Sequence, residues 1–160
     1  RLFGDRLNCA IETCGRSQGR MALFLFDLNG FKNINDTLGH QAGDQVLREI
    51  ARNLRENAHL FDSVARLGGD EFVLLASDLT MDRPLCSFEE MIRNAIEKPM
   101  LVENQPLIVT ACLGIAVYPD DARDASNLLK VADERMYGVK RKAPAGALRA
   151  VPDLASTRQA

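Results

Sequence analysis

A pair of glycines between two short apolar runs is the feature that most constrains this chain. Gly68 and Gly69 separate the apolar run 64–67 from the apolar run 72–75. Glycine adopts the positive φ angles that tight hairpin turns require, and runs of this length are typical of strands. The pattern predicts an antiparallel β-hairpin that carries two carboxylates, Asp70 and Glu71, at its turn.

A second strand is predicted upstream of the hairpin. Residues 21–26 are all apolar and are followed directly by Asp27. The run is too short for a typical helix and indicates a strand covered on both faces. A carboxylate at the end of such a strand is held rigidly while its head reaches solvent, as a hard divalent cation requires of an oxygen ligand. Taken alone, Asp27 is more typical of a residue that ends a strand and begins a turn.

The remaining patterns are mostly helical. Apolar residues recur at intervals of three and four in segments that begin near residues 3, 31, 46, 88 and 128. Ser87 followed by Glu90 has the pattern of a capping box, and Pro99 ends the helix that follows it.

Two further strands are predicted between the last two helices. Residues 100–102 and 107–117 are expected to pair around a turn at 103–105. The order is then helix, strand, two helices, hairpin, helix, strand pair, helix. This order predicts an α+β fold with a mostly antiparallel central sheet flanked by helices.

Length and charge limit the class of protein. A chain of 160 residues suits one domain, which we place at 1–142, and residues 143–160 lack periodicity and are expected to form a flexible tail or linker. A formal charge of −2 gives no reason to expect nucleic-acid binding, and no apolar stretch approaches the roughly 20 residues needed for membrane insertion.

The four cysteines show neither metal-ligand spacing nor the density of a disulfide scaffold, so we expect reduced thiols. They are Cys9, Cys14, Cys86 and Cys112. This predicts a cytoplasmic protein, or the cytoplasmic part of a larger, membrane-associated one.

The acidic residues at the strand end and at the hairpin turn form one hypothesis. Carboxylates from two neighbouring strands, Asp27 and Asp70, could hold a cation that bridges phosphate oxygens, neutralises charge on a leaving group and activates a hydroxyl nucleophile. The expected chemistry is phosphoryl or nucleotidyl transfer.

Several motifs together resemble GGDEF domains, from Arg1 to about Lys142, with the usual segment before the first helix cut off. The matching residues are 27–36, Gly39-His40 with Gly43-Asp44, 66–72 and Gly114-Ile115-Ala116. The resemblance implies a nucleotidyl-cyclase-like fold of the ferredoxin-like or palm-like type. It also implies a catalytic homodimer, in which two domains that each hold one GTP face each other. The two GTP molecules are joined into the bacterial second messenger cyclic di-GMP, and pyrophosphate is released.

The resemblance also implies roles for particular residues. Asp27, the backbone carbonyl of Leu28 and Asp70 would bind Mg²⁺ or Mn²⁺, and Asp70 or Glu71 would assist deprotonation of the ribose 3′-hydroxyl. The substrate-binding residues would be the amides of Gly30, Phe31 and Lys32 for phosphate, Asn35 and Asp44 for the guanine edge, Gly68 and Gly69 at the hairpin, and Lys140 for phosphate. Asn35 could instead cap a turn, Asp44 could begin a helix, and Lys140 could be an ordinary solvated lysine at a helix end.

The chain departs from the family pattern at three places. The family's Gly-Arg-Asn stretch, whose arginine contacts phosphate, is replaced by Ala143-Pro144-Ala145. Arg141 or Lys142 could take over the phosphate contact of the missing arginine. The product-binding inhibitory site has His59 in place of arginine three residues before Asp62, which predicts weak or missing feedback inhibition. Asn29 stands where the family often has a second aspartate.

Two alternatives to an active cyclase remain open. The first is a catalytically weak GGDEF domain that binds GTP and regulates an attached phosphodiesterase or sensory domain. The second, more distant one is a palm-like polymerase or another nucleotide cyclase, which shares paired carboxylates but does not predict the residues around Asn35 and Asp44.

Overall fold

The computed structural model describes residues 2–58 and 62–142 and the backbone of residues 149–150. The helices of this part are α1 Leu2–Ser17, α2 Phe31–Leu38, α3 His40–Asn57, α4 Leu85–Ile96 and α5 Ala125–Lys142. The strands are β1 Met21–Leu28, β2 Ser63–Gly68, β3 Glu71–Ala76, β4 Met100–Val102, β5 Gln105–Ile108, β6 Ala111–Tyr118 and β7 Arg149–Ala150. The predicted order of helices and strands is confirmed over the described residues, except that the predicted strand pair before the last helix is three strands.

The main sheet has four strands in the order β2-β3-β1-β6, and every neighbouring pair is antiparallel. A smaller sheet has the order β4-β5-β7. One face of the main sheet packs in a core with α3 and α4, and the other packs in a core with α1 and α5. The predicted α+β class, with a mostly antiparallel sheet flanked by helices, is confirmed.

The central strand β1 is buried along its whole length, as its continuous apolar run predicts. Phe24, Phe26 and Leu28 belong to the core on the α3 and α4 side, while Leu23 and Leu25 belong to the core on the α1 and α5 side. Since side chains alternate along a strand, the residue between Phe26 and Leu28 is directed to the α5 face. This places the carboxylate of Asp27 beneath the last turns of α5.

The hairpin between β2 and β3 is confirmed, with one refinement. Gly69 has a φ of 52°, whereas Gly68 keeps a negative φ. Only Gly69 therefore needs to be glycine for conformational reasons. Arg66 reinforces the turn, because its Nε donates a hydrogen bond of 3.0 Å to the Gly69 carbonyl.

The predicted capping box at Ser87 is wrong. Helix α4 begins two residues earlier, at Leu85, after an extended Pro84. Ser87 therefore lies inside the first turn, and its hydroxyl donates to the Pro84 carbonyl at 2.7 Å. The proline explains the shift, because a residue without an N–H and with its φ held near −65° loses nothing at a helix start.

The predicted strand 107–117 is two strands. Residues 105–108 pair with β4, but the chain leaves that ladder at Val109 and Thr110, and β6 pairs with β1 in the main sheet. Pairing with β1 places β6 against α5, where Cys112 and Ala116 are buried in one core with Ala132 and Met136. Within 143–160 the structure describes only Arg149–Ala150, which pairs with β5 and carries no strand signal in the sequence. The rest of the predicted tail lies outside the described residues.

The loop between β6 and α5 is held by a fork of hydrogen bonds. Arg135 donates to the two oxygens of Asp121 at 2.8 and 2.6 Å and to the Ile115 carbonyl at 2.7 Å. Asp121 also accepts the Val117 amide at 2.7 Å. The Arg135 hydrogen bonds, with the amide of Val117, hold the pKa of Asp121 below its usual value.

We expect Asp121→Asn to lower the free energy of unfolding at pH 7 by about 1–2 kcal/mol, because bonds to a charged acceptor are lost at a partly exposed site. A lowered pKa in the folded state stabilises the protein above the unfolded pKa of about 3.9, and this contribution is lost as the pH falls through the folded pKa. The difference between wild type and variant should therefore shrink below about pH 4. Urea denaturation at several pH values measures it.

The matched control is Asp120→Asn. Asp120 pairs with Arg20, and both side chains are more than half exposed. Surface pairs of this kind contribute about 0–1 kcal/mol. An equal loss in both variants at pH 7 would contradict the importance of the fork.

Candidate active site

Asp27 lies at the end of β1, in the centre of the main sheet. Its Cα partners are Glu71 on β3 and Cys112 on β6. The residue is only 6% exposed, and its Oδ2 accepts a hydrogen bond of 2.9 Å from the Lys140 ammonium. A buried carboxylate requires a partner, and α5 supplies one.

Asp70 occupies the hairpin turn beside the same strand end. Its backbone carbonyl accepts the Leu28 amide at 3.3 Å, which fastens the turn to the end of β1. Burial raises the pKa of Asp70, and the negative charge of Asp27 raises it further. The fold therefore brings together the two carboxylates that the sequence predicted as one site.

Glu71 begins β3 and stands opposite Asp27 in the strand register. Residues Val73 and Leu75, two and four positions later, face the α1 and α5 core. By the alternation of side chains Glu71 shares the face of Asp27. The structure therefore keeps both Asp70 and Glu71 as candidates for the group that accepts a proton.

Lys140 is placed at the carboxylates by α5. Its side chain is half exposed, and the hydrogen bond to Asp27 raises the pKa of the ammonium, so the charge is present throughout the neutral range. The resemblance to the family implied a phosphate contact for Lys140, whereas in this structure the ammonium pairs with Asp27. A cation at this position is chemically suited to either partner.

The segment between β1 and α2 turns sharply at Gly30, which has a left-handed φ of 71°. Helix α2 begins at the next residue, Phe31. The first amides of a helix have no partner within it, and they point toward the positive end of the helix dipole. The predicted phosphate-binding amides of Phe31 and Lys32 lie in this first turn.

Asn29 is held by residues that the sequence did not single out. Its Nδ2 donates to Thr110 Oγ1 at 2.9 Å, its Oδ1 accepts from Cys112 Sγ at 3.1 Å, and its backbone amide donates to the Thr110 carbonyl at 2.8 Å. Burial raises the pKa of the Cys112 thiol, which keeps it protonated and able to donate. No spacing signal reveals this cluster, because 81 and 83 positions separate its members.

Asn35 and Asp44 lie on the two adjacent helices α2 and α3. Helix α3 approaches the Asn35 side chain at Gly43, where an added Cβ would stand 1.9 Å from Asn35 Oδ1. A groove of about 790 Å³ runs between α3 and the edge strand β2 from Asp44 toward the hairpin. Its lining includes the apolar Leu47 and Phe72 and the guanidinium groups of Arg48 and Arg66.

The donors at the carboxylates suit a hard divalent cation. Asp27, Asp70 and a backbone carbonyl are all oxygen ligands, and Mg²⁺ is typically bound through one or two carboxylates with waters and phosphates completing its shell. Within residues 2–58 and 62–142 no group of three or more His, Cys, Asp or Glu side chains is placed to hold a metal. Two carboxylates and one backbone carbonyl would leave part of the coordination shell of such a cation open.

Of the predicted inhibitory site, Asp62 lies within the described residues. The Asp62 side chain is fully buried and pairs with Arg83 at 2.7 Å, and the same guanidinium lies 4.6 Å from the centroid of the Phe88 ring. His59 lies outside the described residues, as do Ala143, Pro144 and Ala145. Weak feedback inhibition stays a prediction.

The fold and the acidic turn define an α+β domain of the nucleotidyl-cyclase type. A family model described as "Diguanylate cyclase, GGDEF domain" matches residues 1–144. The chain belongs to the GGDEF domain family.

Curated relatives are longer proteins. The chain is 38% identical over 139 residues to the bifunctional diguanylate cyclase/cyclic di-GMP phosphodiesterase MucR of Pseudomonas aeruginosa, covering 87% of this chain and 20% of that protein. It is 37% identical over 143 residues to the diguanylate cyclase TpbB of the same species, covering 89% of this chain and 33% of that protein. The chain thus spans a third or less of the length of these two relatives.

Solved structures agree with the fold. The crystal structure of the GGDEF domain of TpbB, also called YfiN, superposes with a TM-score of 0.84 at 36% identity and covers 89% of both chains. The GGDEF domain of DgcB from Caulobacter crescentus, in complex with c-di-GMP, superposes with a TM-score of 0.76 at 27% identity, covering 88% of this chain and 84% of that one. In the described residues no helix is long and apolar enough to span a membrane.

Proposed function

We propose that this chain is the catalytic domain of a diguanylate cyclase, which joins two GTP molecules into cyclic di-GMP and releases pyrophosphate. The observation that carries the proposal is the meeting of Asp27 and Asp70 at one strand end, beside the first turn of α2 and under Lys140. Each catalytic unit would be a homodimer, because each GTP supplies both an attacking 3′-hydroxyl and an attacked α-phosphate.

The phosphate contacts follow from positive charge and unpaired donors. The first-turn amides of α2 at Phe31 and Lys32 would donate to phosphate oxygens, as amides at helix starts commonly do. The Lys140 ammonium would exchange its bond to Asp27 for a phosphate oxygen when the nucleotide enters. Gly68 and Gly69 support this approach, because neither glycine has another atom within 4 Å of where a Cβ would stand.

The carboxylates would serve metal binding and proton transfer. Asp27, Asp70 and the Leu28 carbonyl would hold Mg²⁺ or Mn²⁺, which when bound supplies Lewis-acid stabilisation of the phosphate charge. Asp70 or Glu71 would accept the proton of the ribose 3′-hydroxyl as it attacks. Both carboxylates lie at the hairpin, so either can face the nucleotide of the opposite domain.

The guanine edge would be read by Asn35 and Asp44. An amide offers a donor and an acceptor, and a carboxylate accepts from the guanine N1 and N2 protons, which adenine does not present in that arrangement. The groove that starts at Asp44 has the apolar Leu47 and Phe72 in its lining beside several arginines.

We expect Gly43→Ala to weaken GTP binding by about tenfold with little loss of stability. The new Cβ would stand 1.9 Å from Asn35 Oδ1 and 2.9 Å from its Cγ, so this flexible side chain must rotate away from its position. The helix itself gains about 1 kcal/mol of propensity, which offsets the crowding. Isothermal titration with GTP and ATP, beside thermal unfolding, measures both effects.

Gly4→Ala is the control, since an added Cβ at that helical glycine meets nothing within 4 Å. GTP affinity should be unchanged in this variant. Unaltered GTP affinity in Gly43→Ala would contradict the role of Asn35.

The partners and the location are part of the same proposal. MucR is named as a protein with both cyclase and phosphodiesterase activity. We propose that a sensory or phosphodiesterase domain likewise accompanies this one and brings two copies together. The free thiols of all four cysteines agree with a cytoplasmic location.

One experiment tests the function. Concentrated protein is incubated with GTP and Mg²⁺, and cyclic di-GMP is sought by chromatography, with Asp70→Ala as the control. Product from the wild type alone supports the cyclase. Equal product from both proteins would remove Asp70 from the mechanism.

A GTP-binding regulator with weak catalysis is the second candidate. The observation that favours it is the sequence Ala143-Pro144-Ala145, which lacks the phosphate-contacting arginine of the family. Loss of one charge-assisted contact would weaken GTP binding by about 1–3 kcal/mol. GTP binding without product would favour this candidate over the enzyme.

A further inference from the structure

The short segment from Leu28 to Phe31 is fastened at one residue, Asn29. Three hydrogen bonds, from 2.8 to 3.1 Å, connect Asn29 to Thr110 and Cys112, and they use both ends of its amide and its backbone N–H. Thr110 lies just before β6, and Cys112 is a buried residue of that strand. The end of β1 is thereby fixed against β6 by side chains as well as by the strand ladder.

The neighbours of Asn29 explain why fixing it matters. The Leu28 carbonyl precedes it, and Gly30 follows it with a left-handed φ of 71° before α2 begins at Phe31. Glycine has the widest choice of backbone conformations, so a segment with glycine at its bend needs an outside restraint to keep one of them. The bonds to Thr110 and Cys112 provide that restraint one residue away.

The side chain of Asn29 has protein partners at both ends of its amide. An amide can donate twice and accept through one oxygen, and here a donor and the oxygen both have protein partners. The amide of Asn29 is thus directed to Thr110 and Cys112 on the neighbouring part of the chain. Its role is in holding the backbone.

We infer that Thr110 and Cys112 are positioning residues for nucleotide binding, which act through Asn29 to hold the Leu28 carbonyl and the first amides of α2 in place. This rests on the proposed function only where it concerns the nucleotide. The restraint on the backbone can be measured without any ligand.

The test uses Thr110→Val, which keeps the shape and the backbone carbonyl of Thr110 and removes the hydroxyl. Native-state hydrogen exchange follows the amides of Asn29 and Ile34, which bond to the Thr110 and Gly30 carbonyls. We expect both amides to exchange about five- to tenfold faster, while the amide of Leu79, which bonds to the Arg20 carbonyl beyond the opposite end of β1, keeps its wild-type rate. Affinity for GTP with Mg²⁺ should fall by a similar factor, as expected for the loss of one hydrogen bond.

Conservative variants separate positioning from a general loss of structure. Thr110→Ser restores the hydroxyl and should recover wild-type exchange and affinity, and Cys112→Ser retains a donor and should behave likewise. Cys112→Ala should resemble Thr110→Val. Equilibrium unfolding of each variant shows whether the whole domain has been weakened.

Several results would overturn the inference. These are wild-type exchange at Asn29 and Ile34 in Thr110→Val, a Thr110→Ser variant as impaired as Thr110→Val, or faster exchange with unchanged GTP affinity. A wild-type protein that binds no GTP would reject the proposed function instead, and the exchange rates would still decide the positioning role of the cluster.

Discussion

Gly114→Ala is expected to lower the free energy of unfolding by about 3 kcal/mol, the upper end of the usual cost of overpacking. A Cβ on Gly114 would stand 1.9 Å from the Ala132 carbonyl oxygen and 2.5 Å from the Met136 amide nitrogen. Both are backbone atoms of α5, so no side chain can rotate to make room. The helix would have to withdraw from β6, although Leu128, Ala132 and Met136 are buried beneath it.

Gly138→Ala is the matched control on the same helix. An added Cβ there meets nothing within 4 Å, and alanine is favoured over glycine inside a helix by about 0.8–1 kcal/mol. The two substitutions should therefore change stability in opposite directions, which guanidinium denaturation followed by circular dichroism will show. A Gly114→Ala variant as stable as the wild type would contradict the close packing of α5 on β6.

The same substitution has a consequence for the site. Lys140 follows Met136 by one helical turn, and its ammonium reaches Asp27 from α5. Withdrawal of the helix would separate this pair. A Gly114→Ala variant that remains folded should therefore bind GTP less well, in addition to being less stable.

Asp70→Asn is expected to reduce cyclic di-GMP synthesis by about 10²- to 10⁴-fold, the range for removal of a group that transfers a proton in the transition state. The substitution keeps the size of the side chain and its place in the hairpin turn. It removes one of two neighbouring negative charges, those of Asp70 and Asp27, which repel each other. The free energy of unfolding should consequently be unchanged or slightly higher, which separates lost catalysis from lost structure.

Glu71→Gln decides between the two carboxylates of the hairpin. If Glu71 is the proton acceptor, Glu71→Gln lowers the rate strongly while the Mg²⁺-dependent affinity for GTP is kept. A Glu71→Gln variant with a near-wild-type rate would leave that role to Asp70, which is also a proposed metal ligand. If the protein binds GTP without forming product, the measurement is instead the affinity for GTP with and without Mg²⁺. Asp70→Asn should abolish the increase in affinity that Mg²⁺ causes. Equal Mg²⁺ dependence in the variant would remove Asp70 from the metal ligands.

Local patterns predicted most of the elements correctly. Helix α2 begins at Phe31, where the apolar periodicity predicted a helix start, and the buried run before Asp27 forms the central strand. The errors occurred where two local signals competed, as at Pro84 and Ser87, or where a continuous apolar run could pair with more than one strand, as in residues 107–117. Sequence alone does not rank such pairings, because their energies depend on what covers the strand after folding.

The hairpin, the strand end at Asp27 and the family are properties of the sequence itself. The turn requires glycine at position 69, and the motifs identify GGDEF domains without reference to any contact. Only the tertiary structure shows that Lys140 pairs with Asp27, 113 positions away in the sequence, and that Asn29 bonds to Thr110 and Cys112. These contacts depend on how closely β6 lies against β1 and on the approach of α5 to Gly114. Such distances are set by packing between elements remote in the chain, for which a linear pattern carries no signal.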